Sequence, residues 1–113
     1  MNTNSWEKAP RLTPAPGVEI RILGSGEKVM LVYIIAQPGA VVPDHKHPHE
    51  QIGTCIKGEG VLTSAGKKFK TVAGASWQIP GGESHDWVNT GKGEAILIET
   101  FGPPREDYAS KAK

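Results

Sequence analysis

Four side chains in this sequence have the types and spacing of a metal site: His45, His47, Gln51 and His85. His45 and His47 are two residues apart, and on a strand residues i and i+2 project from the same face. Two imidazoles on one face can share a metal ion. Gln51 follows four residues later with the same parity, whereas Glu50 has the opposite parity and should point outward. His85 lies in a second segment, Gly74 to Asn89, whose glycines and Pro80 make a tight turn that delivers it at the start of a strand. Three neutral imidazoles and a neutral amide would leave the double charge of a divalent ion uncompensated. Such a centre favours an anionic ligand and lowers the pKa of bound water. The donor set suits Zn, Ni, Fe, Mn or Cu without choosing among them.

The elements that must position these groups read as all-β. The chain has 113 residues, enough for one domain, and its 14 Gly and 9 Pro punctuate short runs rich in Val, Ile and Thr. Residues 1–17 read as an extended N-terminal arm in which Trp6 docks on a partner surface, and residues 18–113 as a single domain. Val18 to Ile22 alternates apolar with charged residues, as a half-buried strand does. Gly24-Ser25-Gly26 reads as a turn. Lys28 to Ala36 is a buried strand, and further strands are expected at 50–57, 59–64, 67–72, 75–79, 84–88 and 93–101. The tail, 102–113, turns away from the sheet and ends in a helical turn.

Composition excludes several classes. Thirteen Lys plus Arg against 12 Asp plus Glu leave no basic footprint for nucleic acid. The single cysteine, Cys55, forms no internal disulfide, and its parity with Gln51 points it to core packing. The first ten residues have no signal-peptide pattern, and no apolar run approaches the ~20 residues that span a bilayer. A soluble cytoplasmic protein without a membrane partner is expected.

The two segments resemble the paired motifs of the cupin family. The first runs Gly39, five residues, His45-X-His47, three residues, Gln51, six residues, Gly58. The family usually has glutamate where Gln51 stands. The second runs Gly74, five residues, Pro80-X-Gly82, two residues, His85, three residues, Asn89, with 15 residues between the motifs. The resemblance implies a conical jelly-roll barrel, the double-stranded β-helix of the cupins, with the metal held inside by His45, His47, Gln51 and His85. Trp87 shares the parity of His85 and should wall the cavity; Trp77 reads as core, and His49 as a rim residue.

In the last strand Ala95, Leu97, Glu99 and Phe101 share one face, and Ile96, Ile98 and Thr100 the other; the alternation alone does not say which is inward. If the first is, burial raises the pKa of Glu99 into the range of a general acid or base. The stretch from Phe101 to Tyr108 resembles the end of small cupins that linearise 4,5-unsaturated uronates in pectin and alginate breakdown. That resemblance implies that Glu99, Phe101 and Arg105 serve a small anionic substrate, although the acid of that group is usually aspartate. The plainer alternative makes Phe101 core and pairs Arg105 with Glu106 or Asp107 at the surface. The expected function is a metal-dependent enzyme acting on a small anionic sugar derivative or keto acid; the alternatives are a metal-dependent dioxygenase and a non-catalytic ligand-binding cupin. The same resemblance, with Trp6 exposed on an arm, implies a homodimer.

Overall fold

The computed structural model describes residues 1–113. Ten strands form two antiparallel sheets. The first, of six strands, has the order β1 (Arg11–Ala15), β2 (Val18–Ser25), β3 (Met30–Ala36), β10 (Ala95–Gly102), β5 (Glu50–Lys57), β8 (Ser76–Ile79). The second has the order β4 (Val41–His45), β9 (His85–Asn89), β6 (Glu59–Ser64), β7 (Lys67–Val72). One short helix, α1 (Glu106–Lys111), ends the chain. No helix is long and apolar enough to cross a membrane.

Period-two patterning builds the first sheet. In β2, Val18, Ile20 and Ile22 are buried; in β3, Met30, Val32, Ile34 and Ala36; in β10, Ala95, Leu97 and Phe101. These side chains face the second sheet, from which Leu62 and Trp87 meet them in one apolar cluster. The register puts β10 between β3 and β5, pairing Glu99 with Val32 on one side and with Gly53 on the other. The inward face of β10 is therefore the one that carries Glu99.

Two strands differ from the sequence expectation. Residues 11–15, read as arm, form β1, which pairs with β2 (Leu12 with Ile20) and buries Leu12. Val41–His45 forms β4, paired with β9 (Val42 with Trp87, His45 with His85). Both lie at sheet edges and carry a proline, Pro14 or Pro43, which an edge tolerates because one row of N–H groups faces away from any partner. Gly24 and Ser25 belong to β2 rather than to a turn, past a register shift after Ile22. The arm proper is residues 1–10, where Trp6 lies half-exposed against Tyr33, ring centroids 5.2 Å apart.

Candidate metal centre

His45 ends β4 and His85 begins β9, and the two are cross-strand partners. Their ring centroids are 4.4 Å apart. His47 does not continue the strand, so its convergence needs more than strand parity. It sits in the loop between β4 and β5, and that loop is pinned to the turn of the second motif. The Gly82 N–H donates to the His47 carbonyl at 2.7 Å. Gly81 passes so close to the Pro48 carbonyl that any side chain there would collide with it. The two motifs thus lock together through backbone, and the His47 ring lies 5.5 Å from His45 and 5.1 Å from His85. The candidate ligand nitrogens of the three histidines all lie within 4.8 Å of one another.

The hydrogen bonds fix the tautomers. Each Nδ1 faces a backbone carbonyl: His45 that of Pro43 at 2.8 Å, His47 that of His49 at 3.1 Å, His85 that of Glu83 at 2.9 Å. A carbonyl only accepts, so each Nδ1 carries a proton, and in the neutral ring each Nε2 keeps its lone pair. The His85 Nε2 is buried with no partner. Burial, with the Arg105 cation as a second cause, pushes the His47 pKa down to about 4, and burial also lowers that of His85.

Gln51 completes the arrangement. Its Nε2 donates to the Glu99 carboxylate, which leaves its Oε1 facing the His47 Nε2 at 3.0 Å. An amide oxygen and an unprotonated imidazole nitrogen are both acceptors. Two acceptors at that distance with no proton between them mark a place for a cation. Three Nε2 lone pairs and one amide oxygen fit a divalent transition metal, with the backbone carbonyls holding each ring in its binding tautomer. Glu50 is exposed and takes no part.

Glu99 is 5 % exposed. A row of cross-strand neighbours, Glu99–Gly53–Trp77, runs over β10, β5 and β8. A Cβ on Gly53 would stand 2.6 Å from the Trp77 Nε1 and 2.9 Å from the Glu99 Cγ, so the glycine lets the indole edge and the carboxylate come together. Desolvation raises the Glu99 pKa to about 7 against the opposing pull of the Gln51 and Trp77 N–H groups and of Arg105. The indole N–H has no well-formed hydrogen bond, so it acts on the carboxylate as a nearby dipole.

Arg105, at the N-terminus of α1, is buried rather than on the surface. Asp107 binds its Nε at 3.0 Å and its Nη2 at 2.8 Å, and this bidentate grip draws the Asp107 pKa down to about 2. The guanidinium lies 3.9 Å from the ring centre of Tyr108 and 5.0 Å from that of Phe101. Its Nη1 is buried without a partner. Phe101 also meets the His47 ring edge-on at 5.6 Å, so it joins the two halves of the site. Tyr108 and Trp77 are the contributors that sequence reasoning missed. Arg105, extended at the N-cap of α1, and Tyr108 in its first turn are three apart, a spacing that brings side chains together at a helix start and is the signal that points to Tyr108.

Most of these groups border one cavity of about 590 Å³ between the sheets, and His47 stands behind its lining. Its exposed members belong to β1, β4 and the C-terminal tail, so it opens between the two edge strands. Glu99, Phe101, Arg105 and Trp87 line it, as do Gln51, His45 and His85. The Trp87 indole donates to the Thr71 Oγ1 at 2.9 Å. Cys55 is buried away from the cavity against the Lys57 and Gly58 carbonyls, and burial raises its pKa. The His49 ring lies 5.5 Å from that of His47 and is only partly buried.

Residues 32–101 match the cupin domain, and the chain belongs to the cupin family. The two sheets are its jelly roll. Over 91 residues the chain is 33% identical to the HTH-type transcriptional regulator PuuR of Escherichia coli, covering 77% of this chain and 49% of that protein. Over 98 residues it is 30% identical to the H2HPP isomerase of Bacillus subtilis, covering 87% and 42%. The chain therefore spans about half the length of these curated relatives or less. It is 29% identical over 93 residues to the pectin degradation protein KdgF of Dickeya dadantii, covering 81% of this chain and 84% of that one. The solved structure of KdgF from Halomonas sp. superposes with a TM-score of 0.84 at 25% identity, covering 95% of this chain and 96% of the other. The resemblance to a small cupin of the KdgF kind, read from the motifs, stands.

Proposed function

We propose that this protein is a metal-dependent enzyme of isomerase type, acting on a small anionic sugar derivative or keto acid. The observation that carries the reading is a pairing in one cavity. Burial raises the pKa of Glu99 to about 7, and Arg105, which lines the same cavity, has a buried Nη1 with no partner. His45, His47, His85 and Gln51 would hold the ion. When bound, the ion would supply Lewis acidity that polarises a carbonyl or hydroxyl oxygen.

The chain's own groups divide the remaining work. The Arg105 Nη1 binds the substrate carboxylate, with Asp107, Tyr108 and Phe101 keeping the guanidinium in place. The Glu99 carboxylate takes a proton from the carbon next to the carbonyl. The C–H electron pair moves into the conjugated system, and the same proton returns to a neighbouring carbon or oxygen. The net result is an isomerisation with no external oxidant or reductant. In the metal-free protein burial raises the Glu99 pKa to about 7, and a carboxyl so raised suits a group that must both take and return a proton. The names of the KdgF proteins and the H2HPP isomerase support this class of chemistry.

The test is turnover of purified protein of known metal content on a panel of unsaturated uronates and keto acids, followed by product NMR, with dissolved oxygen monitored. Isomerised product without oxygen uptake supports the proposal. Oxygen uptake coupled to substrate loss would make the protein a dioxygenase. Stoichiometric binding without turnover would make it a ligand-binding cupin.

We also propose that two copies pair. The outer face of the six-stranded sheet supports this reading. Leu31 and Ile52 are exposed on it and flank Thr100 across the strands; Ile56 lies exposed on the same face, with Trp6 standing over Tyr33. Apolar surface of this kind is costly to leave in water. Light scattering should give twice the chain mass; the mass of one chain would end the proposal.

A further inference from the structure

Gln51 and Glu99 meet across the six-stranded sheet. Gln51 of β5 pairs with Phe101 of β10, and Glu99 lies two residues from Phe101 on the same inward face. The two are diagonal neighbours, a separation that long side chains bridge. Glu99 lies over Gly53, where a Cβ would come within 2.9 Å of its Cγ, and from there its carboxylate reaches the Gln51 amide. Both side chains are buried, and the carboxylate is the sole hydrogen-bond acceptor of the Gln51 Nε2. An amide turns end for end about its last torsion at little cost, so its neighbours decide which end faces which way. Turned over, the Gln51 amide would bring its N–H group within reach of the His47 Nε2, which stands 3.0 Å from the present place of its oxygen. That hydrogen bond would cover the His47 lone pair and withdraw the amide oxygen, so two ligands would be lost together.

A carboxylate only accepts, so an amide that faces one must present its nitrogen. A carboxylate at position 51 would need no such guide, because both its ends are oxygen, but it would set a second negative charge against buried Glu99. We infer that Glu99 is a positioning residue of the metal centre, holding the Gln51 amide with its oxygen toward His47, and that position 51 carries an amide because position 99 carries an acid. This rests on the metal-binding part of the proposed function and gives Glu99 a task separate from proton transfer.

The experiment is competition for Zn²⁺ between the protein and a chromophoric chelator at pH 8, with circular dichroism to check each fold. Glu99→Gln and Glu99→Leu both remove the charge, but only glutamine keeps an acceptor for the Gln51 N–H. The leucine variant should bind Zn²⁺ at least about tenfold more weakly than the glutamine variant, the usual effect of losing a group that orients a ligand. With Gln51→Glu added to each, the difference should shrink below about threefold, because a carboxylate ligand has no wrong end and the coupling is gone. Equal affinities of the two variants would overturn the inference and leave the metal proposal standing. The same ratio with and without Gln51→Glu would also overturn it, since leucine would then act through packing alone. Native protein that takes no Zn²⁺ from the chelator would overturn both. If the leucine variant does not fold, Glu99→Met, unbranched like glutamate and without an oxygen, takes its place in the comparison.

Discussion

Replacing Glu99 by glutamine keeps the shape of the side chain, keeps an acceptor for the Gln51 N–H, and removes the charge. In metal-free protein the change should stabilise the fold above neutral pH. Unfolded, Glu99 titrates near 4.5; folded, burial raises its pKa to about 7. Between those values the folded chain holds a proton that the unfolded chain has released. Its stability therefore falls as pH rises through this window, and the full penalty is present above about pH 7. The gap, at about 1.4 kcal/mol for each pH unit, comes to about 3 kcal/mol. His47 acts in the opposite sense: its lowered pKa costs stability as pH falls from 6.5 toward about 4. That cost is common to both proteins and cancels in the comparison. Urea unfolding of chelator-treated protein should show the two proteins nearly equal at pH 4.5 and the glutamine variant more stable by up to about 3 kcal/mol at pH 8. A constant difference across this range would mean that Glu99 keeps an ordinary pKa, and its role as a proton carrier at neutral pH would lose its basis.

Under the proposed function, the same Glu99→Gln change should lower kcat by about 10²–10⁴-fold with metal content unchanged, read by steady-state kinetics beside elemental analysis. Arg105→Ala removes a charge-assisted contact present in ground and transition states alike, so it should mainly raise KM, by about 10–100-fold, with kcat much less affected. Gly60→Ala would drive a methyl group into the Trp87 ring, which the glycine now meets face to face. Thermal unfolding should show a loss of about 1–3 kcal/mol, the usual cost of overpacking.

The metal-ligand candidates were legible because their spacing is local. His45, His47, Gln51 and His85 sit at fixed offsets from glycines and a proline that shape their turns, and each offset can be read along the chain. The central strands were legible from alternation over five or more residues, as in Val18 to Ile22. β1 and β4 were not, because an edge strand with a proline and few apolar residues carries no such alternation. Strand parity brought His45 and His47 together for an incomplete reason, since β4 stops at His45 and the loop is held by Gly82 and Gly81 from the other motif. The neighbours of Glu99 were hidden for a related cause. Gly53 and Trp77 reach it through cross-strand register, which no local pattern states. Burial of Arg105 likewise depends on where α1 docks, and the two surface acids that follow it in sequence gave no hint of an enclosed guanidinium.

The central claim is that the Nε2 lone pairs of His45, His47 and His85, with the amide oxygen of Gln51, hold one divalent ion. The most direct measurement is elemental analysis of untagged protein, native and His47→Ala, purified and metal-loaded side by side. The account predicts one equivalent of transition metal per chain in the native protein and none retained by His47→Ala after dialysis, with both proteins folded by circular dichroism. Native protein that holds no stoichiometric metal after loading, or a folded His47→Ala protein that keeps a full equivalent, would contradict it.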